Sequence, residues 1–117
     1  MKTTQKCQPA LREDRAAAML AALGSPVRLR VYRFLLRAGG DGINVTSLQR
    51  AADIPASTFN HHLAALVDVG LVAQQRVGRE LLCRAEYADI KRLSAFLLQE
   101  CCVDAPAGVL KMLEKAV

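Results

Sequence analysis

Two cysteines stand side by side near the C-terminus, Cys101 and Cys102 in LLQECCVDAP, and two more, Cys7 and Cys83, lie far from them along the chain. Free thiols can form a structural disulfide, act as a redox switch or serve as nucleophiles. Neighbours in sequence close only a strained ring when joined to each other, so a structural disulfide does not explain the pair. A redox switch favours thiols whose pKa is lowered by positive charge, and here the adjacent residue is Glu100, which opposes the thiolate. A thiol enzyme needs a base and an oriented third group. The chain has neither a CxxC pair nor a phosphate loop, and no enzyme is expected. His61 and His62 are also neighbours; on a helix they point about 100° apart and seldom grip one ion together. They read as scaffold or nucleic-acid contacts rather than as zinc ligands.

These side chains must be positioned by a small helical scaffold. A chain of 117 residues with 52% apolar content suffices for one domain with a single core. Aromatics make up only 4%, and Ala, Leu and Arg recur, which favours helices. Sixteen basic against eleven acidic residues leave a formal charge of +5, doubled in a homodimer, which favours an acidic partner such as a phosphate backbone. The N-terminal stretch MKTTQKCQPALREDR has no apolar signal core, and the longest apolar run, AAAMLAALG, is about half of the ~20 residues a membrane span needs. The expected setting is cytoplasmic, without membrane contact and with reduced thiols.

The punctuation along the chain predicts the elements. After a polar arm over residues 1–9, Leu11 to Leu23 reads as a helix closed by Gly24. Ser25 followed by Pro26 caps a second helix whose apolar stripe is Val27, Val31, Phe34 and Leu35, ended by Gly39, Gly40 and Gly42. Thr46 with Gln49 matches a capping box for a short helix from Ser47 to Ala52, and Asp53-Ile54 before Pro55 forms a turn. A further helix runs from about Pro55 to Val69. Two short helices joined by a tight turn suggest a helix-turn-helix. LVAQQR and ELLCRA, joined by Val77-Gly78-Arg79, then read as a hairpin with a basic tip. Ile90, Leu93, Leu97 and Cys101 set the stripe of a closing helix from Tyr87 to about Cys102. The expected fold is mainly α with a small β-hairpin wing, a winged helix-turn-helix in one domain, 1–117. It comprises an arm (1–9), the helix-turn-helix (46–69), the wing (71–85), a dimerisation and sensing helix (87–102) and a C-terminal amphipathic helix (107–117). Apolar stripes on the first and last long helices need a partner surface, which predicts a homodimer formed through them.

The succession ALGSPVRLRVYRFLL, IPASTFNHHLAALVDVGLV and QQRVGRELLCRAE resembles the ArsR/SmtB family of winged-helix repressors from about Leu20 to Cys102. The resemblance implies a homodimer that binds double-stranded operator DNA and releases it when a metal or metalloid ion binds. It places Ser57, Thr58, Asn60 and His61 on the groove-facing side of the reading helix, where their side chains can exchange hydrogen bonds with base edges. Phe59, Leu63 and Leu66 then face the core. Arg76 and Arg79 on the wing offer charge to phosphates or to a narrow minor groove, and Arg50 to the backbone.

The family's sensing sites lie in different elements. A CVC motif in the first helix of the helix-turn-helix is matched here by Asn44-Val45-Thr46, without sulfur, and Asp89 on the last long helix has no histidine beside it for a zinc site. The pair Cys101 and Cys102 remains, and some arsenic-responsive members carry adjacent cysteines at this place. Trivalent arsenic is soft and binds thiolates in a pyramidal three-coordinate shape. Inorganic arsenite wants three thiolates, whereas an organic arsenical such as methylarsenite already spends one bond on carbon and needs two. The expected metal ligands are therefore Cys101 and Cys102, with an organic trivalent arsenical as the preferred effector and no cofactor required. The alternatives are a three-thiol arsenite or antimonite sensor completed by Cys7 or, less readily, by Cys83, and a thiol redox-sensing repressor. On a continuous helix the two sulfurs diverge, which predicts that binding distorts the helix end.

Overall fold

The computed structural model describes residues 11–105 and 113–115. Eight elements follow in order: α1 (Glu13–Leu23), α2 (Pro26–Ala38), β1 (Ile43–Asn44), α3 (Val45–Ala52), α4 (Ala56–Asp68), β2 (Val72–Val77), β3 (Glu80–Ala85) and α5 (Tyr87–Leu98). The fold is a winged helix-turn-helix, mainly helical, with a three-stranded antiparallel sheet in the order β1-β3-β2.

Local chemistry sets the boundaries. Ser25 Oγ accepts from the Arg28 N–H at 3.4 Å and Pro26 fills the first turn of α2, as the sequence predicts. At α3 the cap is Asn44, whose Oδ1 accepts from the Ser47 N–H at 2.8 Å, rather than Thr46. Gln49 is consequently free of the predicted capping box, and its Nε2 donates to the Ile54 carbonyl at 3.2 Å, fastening the turn of the helix-turn-helix. Asp53 ends α3 in the left-handed conformation, φ 56°, one of the few that a short polar side chain tolerates. Gly78-Arg79 closes the hairpin as a two-residue turn, with Val77 opposite Glu80.

The core joins all layers. Met19 of α1, Val31, Tyr32 and Leu35 of α2, Leu48 of α3, Phe59, Leu63 and Leu66 of α4, Leu71, Cys83 of β3 and Leu93 of α5 are buried in one cluster. The wing is anchored at its base by the Leu71 N–H donating to Leu66 O and the Glu86 N–H donating to Leu71 O. It is anchored along its length by β1, where Ile43 pairs with Cys83 and Asn44 with Leu82.

One expectation is corrected. The closing helix does not reach Cys102: α5 ends at Leu98, and residues 99–104 form a string of turns. Cys101, Val103 and Ala105 donate their N–H groups to the carbonyls of Leu98, Glu100 and Cys102, three residues back each time. Cys102 takes a positive φ of 65°. Ile90 and Leu93 of the stripe that predicted a longer helix pack on the core, but its C-terminal end has nothing in the described chain to pack on: Leu97 and the neighbouring Leu98 are 57% and 67% exposed. Cysteine and valine are indifferent helix formers, and short-range bonds satisfy the last carbonyls instead. The predicted arm over 1–9, with Cys7, lies outside the described residues. So does most of the predicted helix 107–117, of which 113–115 are helical.

Candidate functional site

The helix-turn-helix presents α4 with two distinct sides. Phe59, Leu63 and Leu66 are buried, while Ser57, Thr58, Asn60 and His61 are exposed, as the predicted division of that helix requires. Arg50 on α3, Arg76 on β2 and Arg79 at the hairpin tip are exposed too, and none has an ion-pair partner among the described residues. These exposed polar and cationic groups are contributed by three elements: α4, the preceding α3 and the wing.

Sequence reasoning left His62 as a scaffold or nucleic-acid contact and named no partner for it. Arg28 Nε donates to His62 Nδ1 at 3.0 Å, tying α2 to the middle of α4. That bond requires an unprotonated Nδ1, and the pKa of His62 is lowered by desolvation, then by the charges of Arg28 and His61. The sequence signal was present in Arg28 and His62 as polar residues on the inner sides of two apolar helices, but only the fold brings them together. Arg84 was likewise not singled out; its Nη1 donates to Gln75 Oε1 across the hairpin at 3.3 Å, and its Nε lies 3.8 Å from Glu86 Oε1.

The thiols divide into two classes. Cys83 is fully buried in β3 and accepts from Gln74 Nε2 at 3.5 Å. Burial raises its pKa, with the Gln74 bond acting in the opposite sense. Cys101 and Cys102 are exposed, and their Sγ atoms lie 3.5 Å apart. This proximity corrects the expectation of diverging sulfurs. Once the backbone has left the helix and Cys102 has turned left-handed, the two side chains converge. The hydrogen bond and the charge interaction with Cys101 raise the pKa of Cys102, ahead of desolvation, because one ionised sulfur disfavours a second beside it. Among the described residues no group of three or more His, Cys, Asp or Glu side chains is placed to hold an ion.

Comparison with known proteins places this geometry in a family. A helix-turn-helix domain model matches residues 23–75. The probable mercury resistance operon repressor of Streptomyces lividans is 30% identical over 93 residues, covering 80% of this chain and 70% of that protein. The structure of an ArsR-like transcriptional regulator from Rhodococcus sp. RHA1 superposes with a TM-score of 0.65 at 28% identity, covering 74% of this chain and 78% of that one. This chain belongs to the ArsR family of winged-helix transcriptional regulators. The homodimeric winged helix-turn-helix DNA-binding domain of a possible ArsR-family transcriptional regulator from Mycobacterium bovis is 29% identical with a TM-score of 0.61 and covers 82% of this chain and 83% of that one. As an ArsR-family protein the chain is a DNA-binding transcriptional regulator. Among its described residues no helix is long and apolar enough to cross a membrane.

Proposed function

We propose that this ArsR-family regulator is a homodimeric repressor, released from operator DNA when a trivalent arsenical, preferentially an organic one such as methylarsenite, bridges Cys101 and Cys102. The observation that carries the reading is the separation of the two sulfurs. Atoms 3.5 Å apart that each bond one centre at about 2.3 Å, a usual thiolate–ion distance, subtend about 100° at that centre. That is the angle of a pyramidal three-coordinate atom. A linear two-coordinate ion such as mercuric would hold its sulfurs about 4.6 Å apart with the same bond length, so this turn would have to open to accept it. The mercury-related name of the Streptomyces lividans relative supports thiophilic sensing in general, while the short bite favours arsenic within that class. An organic arsenical needs only these two sulfurs, and its carbon substituent takes the third position.

Repression follows from the exposed face of α4 and the wing. Ser57, Thr58, Asn60 and His61 read base edges, and Arg50, Arg76 and Arg79 hold phosphates. Two half-sites require a fixed spacing of two reading helices, which a dimer through α1 and α5 supplies. The homodimeric Mycobacterium bovis structure and the exposed Leu20, Leu97 and Leu98 support that arrangement. The thiol turn directly continues α5. Chelation pins residues 99–104 in one conformation, shifts Leu97, Leu98 and Val103 within the dimer seam, and alters the half-site spacing. No unwinding of helix is needed, in contrast to the sequence-based expectation. A coupling of ~1–3 kcal/mol would lower DNA affinity about 5–150-fold.

The test is release of operator DNA by arsenite, methylarsenite and phenylarsenite from the wild type and from Cys7→Ser, Cys83→Ser, Cys101→Ser and Cys102→Ser. Release by the organic forms that requires only Cys101 and Cys102 supports the proposal. Equal response to arsenite that requires Cys7 or Cys83 would replace it with a three-thiol arsenite or antimonite sensor. Peroxide-dependent release without arsenical would replace it with a redox sensor.

A further inference from the structure

The outward side of α2 carries a constellation that neither DNA reading nor thiol chemistry uses. Pro26, Leu29, Arg30, Arg33, Phe34 and Arg37 line a groove of about 420 Å³. At 100° per residue these positions sit roughly half a turn around the helix from the buried Val31, Tyr32 and Leu35. Arg28, which reaches the reading helix through His62, lies on the buried side. Arg30, Arg33 and Arg37 therefore sit on the side of α2 opposite the one that meets α4 through Arg28 and His62.

Three guanidinium groups on one helix face repel one another. Arg30 and Arg33 stand three apart and Arg33 and Arg37 four apart, the spacings at which like charges destabilise a helix. No acidic side chain among the described residues relieves them, for none of the three takes part in an ion pair or hydrogen bond there. Between them Leu29 is 44% exposed and Phe34 is half-buried, an apolar floor inside a cationic rim. The volume falls in the range of small-molecule sites. The groove is confined to a single helix of 13 residues, a length of about 20 Å. A strip of that length and about 10 Å wide offers roughly 200 Å², small beside the ~800 Å² per partner of a standard protein interface.

We infer that this groove binds a small amphipathic organic anion, an alkyl or aryl carboxylate whose body lies on Leu29 and Phe34 and whose carboxylate is held by Arg30, Arg33 and Arg37. Guanidinium groups match a carboxylate with paired N–H donors, and an apolar floor adds affinity that an inorganic anion lacks. The site is separate from the thiol pair and does not rest on arsenical sensing.

The experiment titrates 4-phenylbutyrate into the full-length, reduced, nitrogen-15-labelled protein and follows backbone amide and arginine Nε–H shifts. Acetate serves as a probe of the head group alone and 4-phenylbutanol as a probe of the body alone. The expected result is saturable shifts confined to α2 around residues 29–37, with both control compounds at least tenfold weaker. Arg33→Gln, and Arg30→Gln with Arg37→Gln, should weaken phenylbutyrate at least tenfold. Arg76→Gln with Arg79→Gln, and Cys101→Ser with Cys102→Ser, should leave it unchanged. Non-saturable shifts, equal binding of phenylbutanol or indifference to the α2 arginine substitutions would overturn the inference. So would preferential binding of a glutamate-rich peptide or of duplex DNA at the same arginines.

Discussion

Alanine at Gly42 and alanine at Gly70 impose nearly the same backbone conformation but very different collisions. The two glycines have φ of +81° and +83°, a region that costs an L-residue about 1–2 kcal/mol. At Gly70 an added Cβ would lie 2.5 Å from Arg15 Nη2, the far end of an exposed side chain that can swing aside. Its cost should remain near the backbone figure. At Gly42 the same atom would lie 2.7 Å from the carbonyl oxygen of Cys83 and 3.4 Å from the Cβ of Arg84. Cys83 is held on both sides, opposite Ile43 in β1 and Gln74 in β2, so its carbonyl cannot retreat without opening a ladder. Losing one such hydrogen bond adds about 1 kcal/mol and any unpaired buried group more, so Gly42→Ala should cost about 3 kcal/mol in total. Urea denaturation of both variants at one fixed protomer concentration, under reducing conditions, measures the difference. Equal costs, or a larger cost at Gly70, would refute the claim that β1 is locked onto β3.

Three further outcomes follow from the polar groups of the core. Tyr32 is buried, and its hydroxyl has no hydrogen-bond partner among the described residues; Tyr32→Phe should stabilise the protein by about 1 kcal/mol, because an unsatisfied buried group costs about 1–3 kcal/mol. Burial, then Asp89, Tyr87 and Glu86, pushes the Tyr32 phenol up to about 12, so the wild type alone should lose stability as pH rises from 10 through that value, read by denaturant midpoints against Tyr32→Phe. His62 has a folded-state pKa below its ordinary value; its contribution is present above the unfolded pKa of about 6.5 and is lost as pH falls through the lower folded one. Proton-resolved titration of His62 should show that depression, and Arg28→Ala should move the pKa upward. Cys83, buried and raised in pKa, should resist iodoacetamide in the native protein and react only on unfolding, whereas the exposed Cys101 and Cys102 are alkylated first, as peptide mass mapping with time would report.

The helices could be read from the sequence because their ends carry strong local chemistry. Ser25-Pro26 announced α2, and the burial of Phe59, Leu63 and Leu66 on one side of α4 was implied by the family resemblance. The two-residue strand β1 carries no periodic signature; it exists because Gly42 lets the chain approach Cys83, a relation between residues 41 positions apart. The cap at α3 was misplaced by two residues, since Asn44 and Thr46 are both capable caps and the sheet pairing of Asn44 decides between them. At the thiol pair the sequence supplied the residue types but not their geometry. A left-handed Cys102 is foreign to the expectations for a side chain without a short hydrogen-bonding group. It appears where α5 runs out of surface to pack on, which depends on the tertiary fold rather than on LLQECCVDAP.

The short strand β1 also determines how the molecule can move. Because β1 leads straight into α3 and is paired to β3, wing and helix-turn-helix share one continuous hydrogen-bonded frame. The outer strand β2 is paired on one edge only, and its exposed stretch Gln74-Gln75-Arg76 is polar, which deters adhesion between sheets of neighbouring molecules. A wing riveted in this way cannot flap independently of α4. In the proposed dimer, a signal reaching the polar side of α4 would then act as a rotation of the entire subunit about its partner, with the wing tip tracing the widest arc.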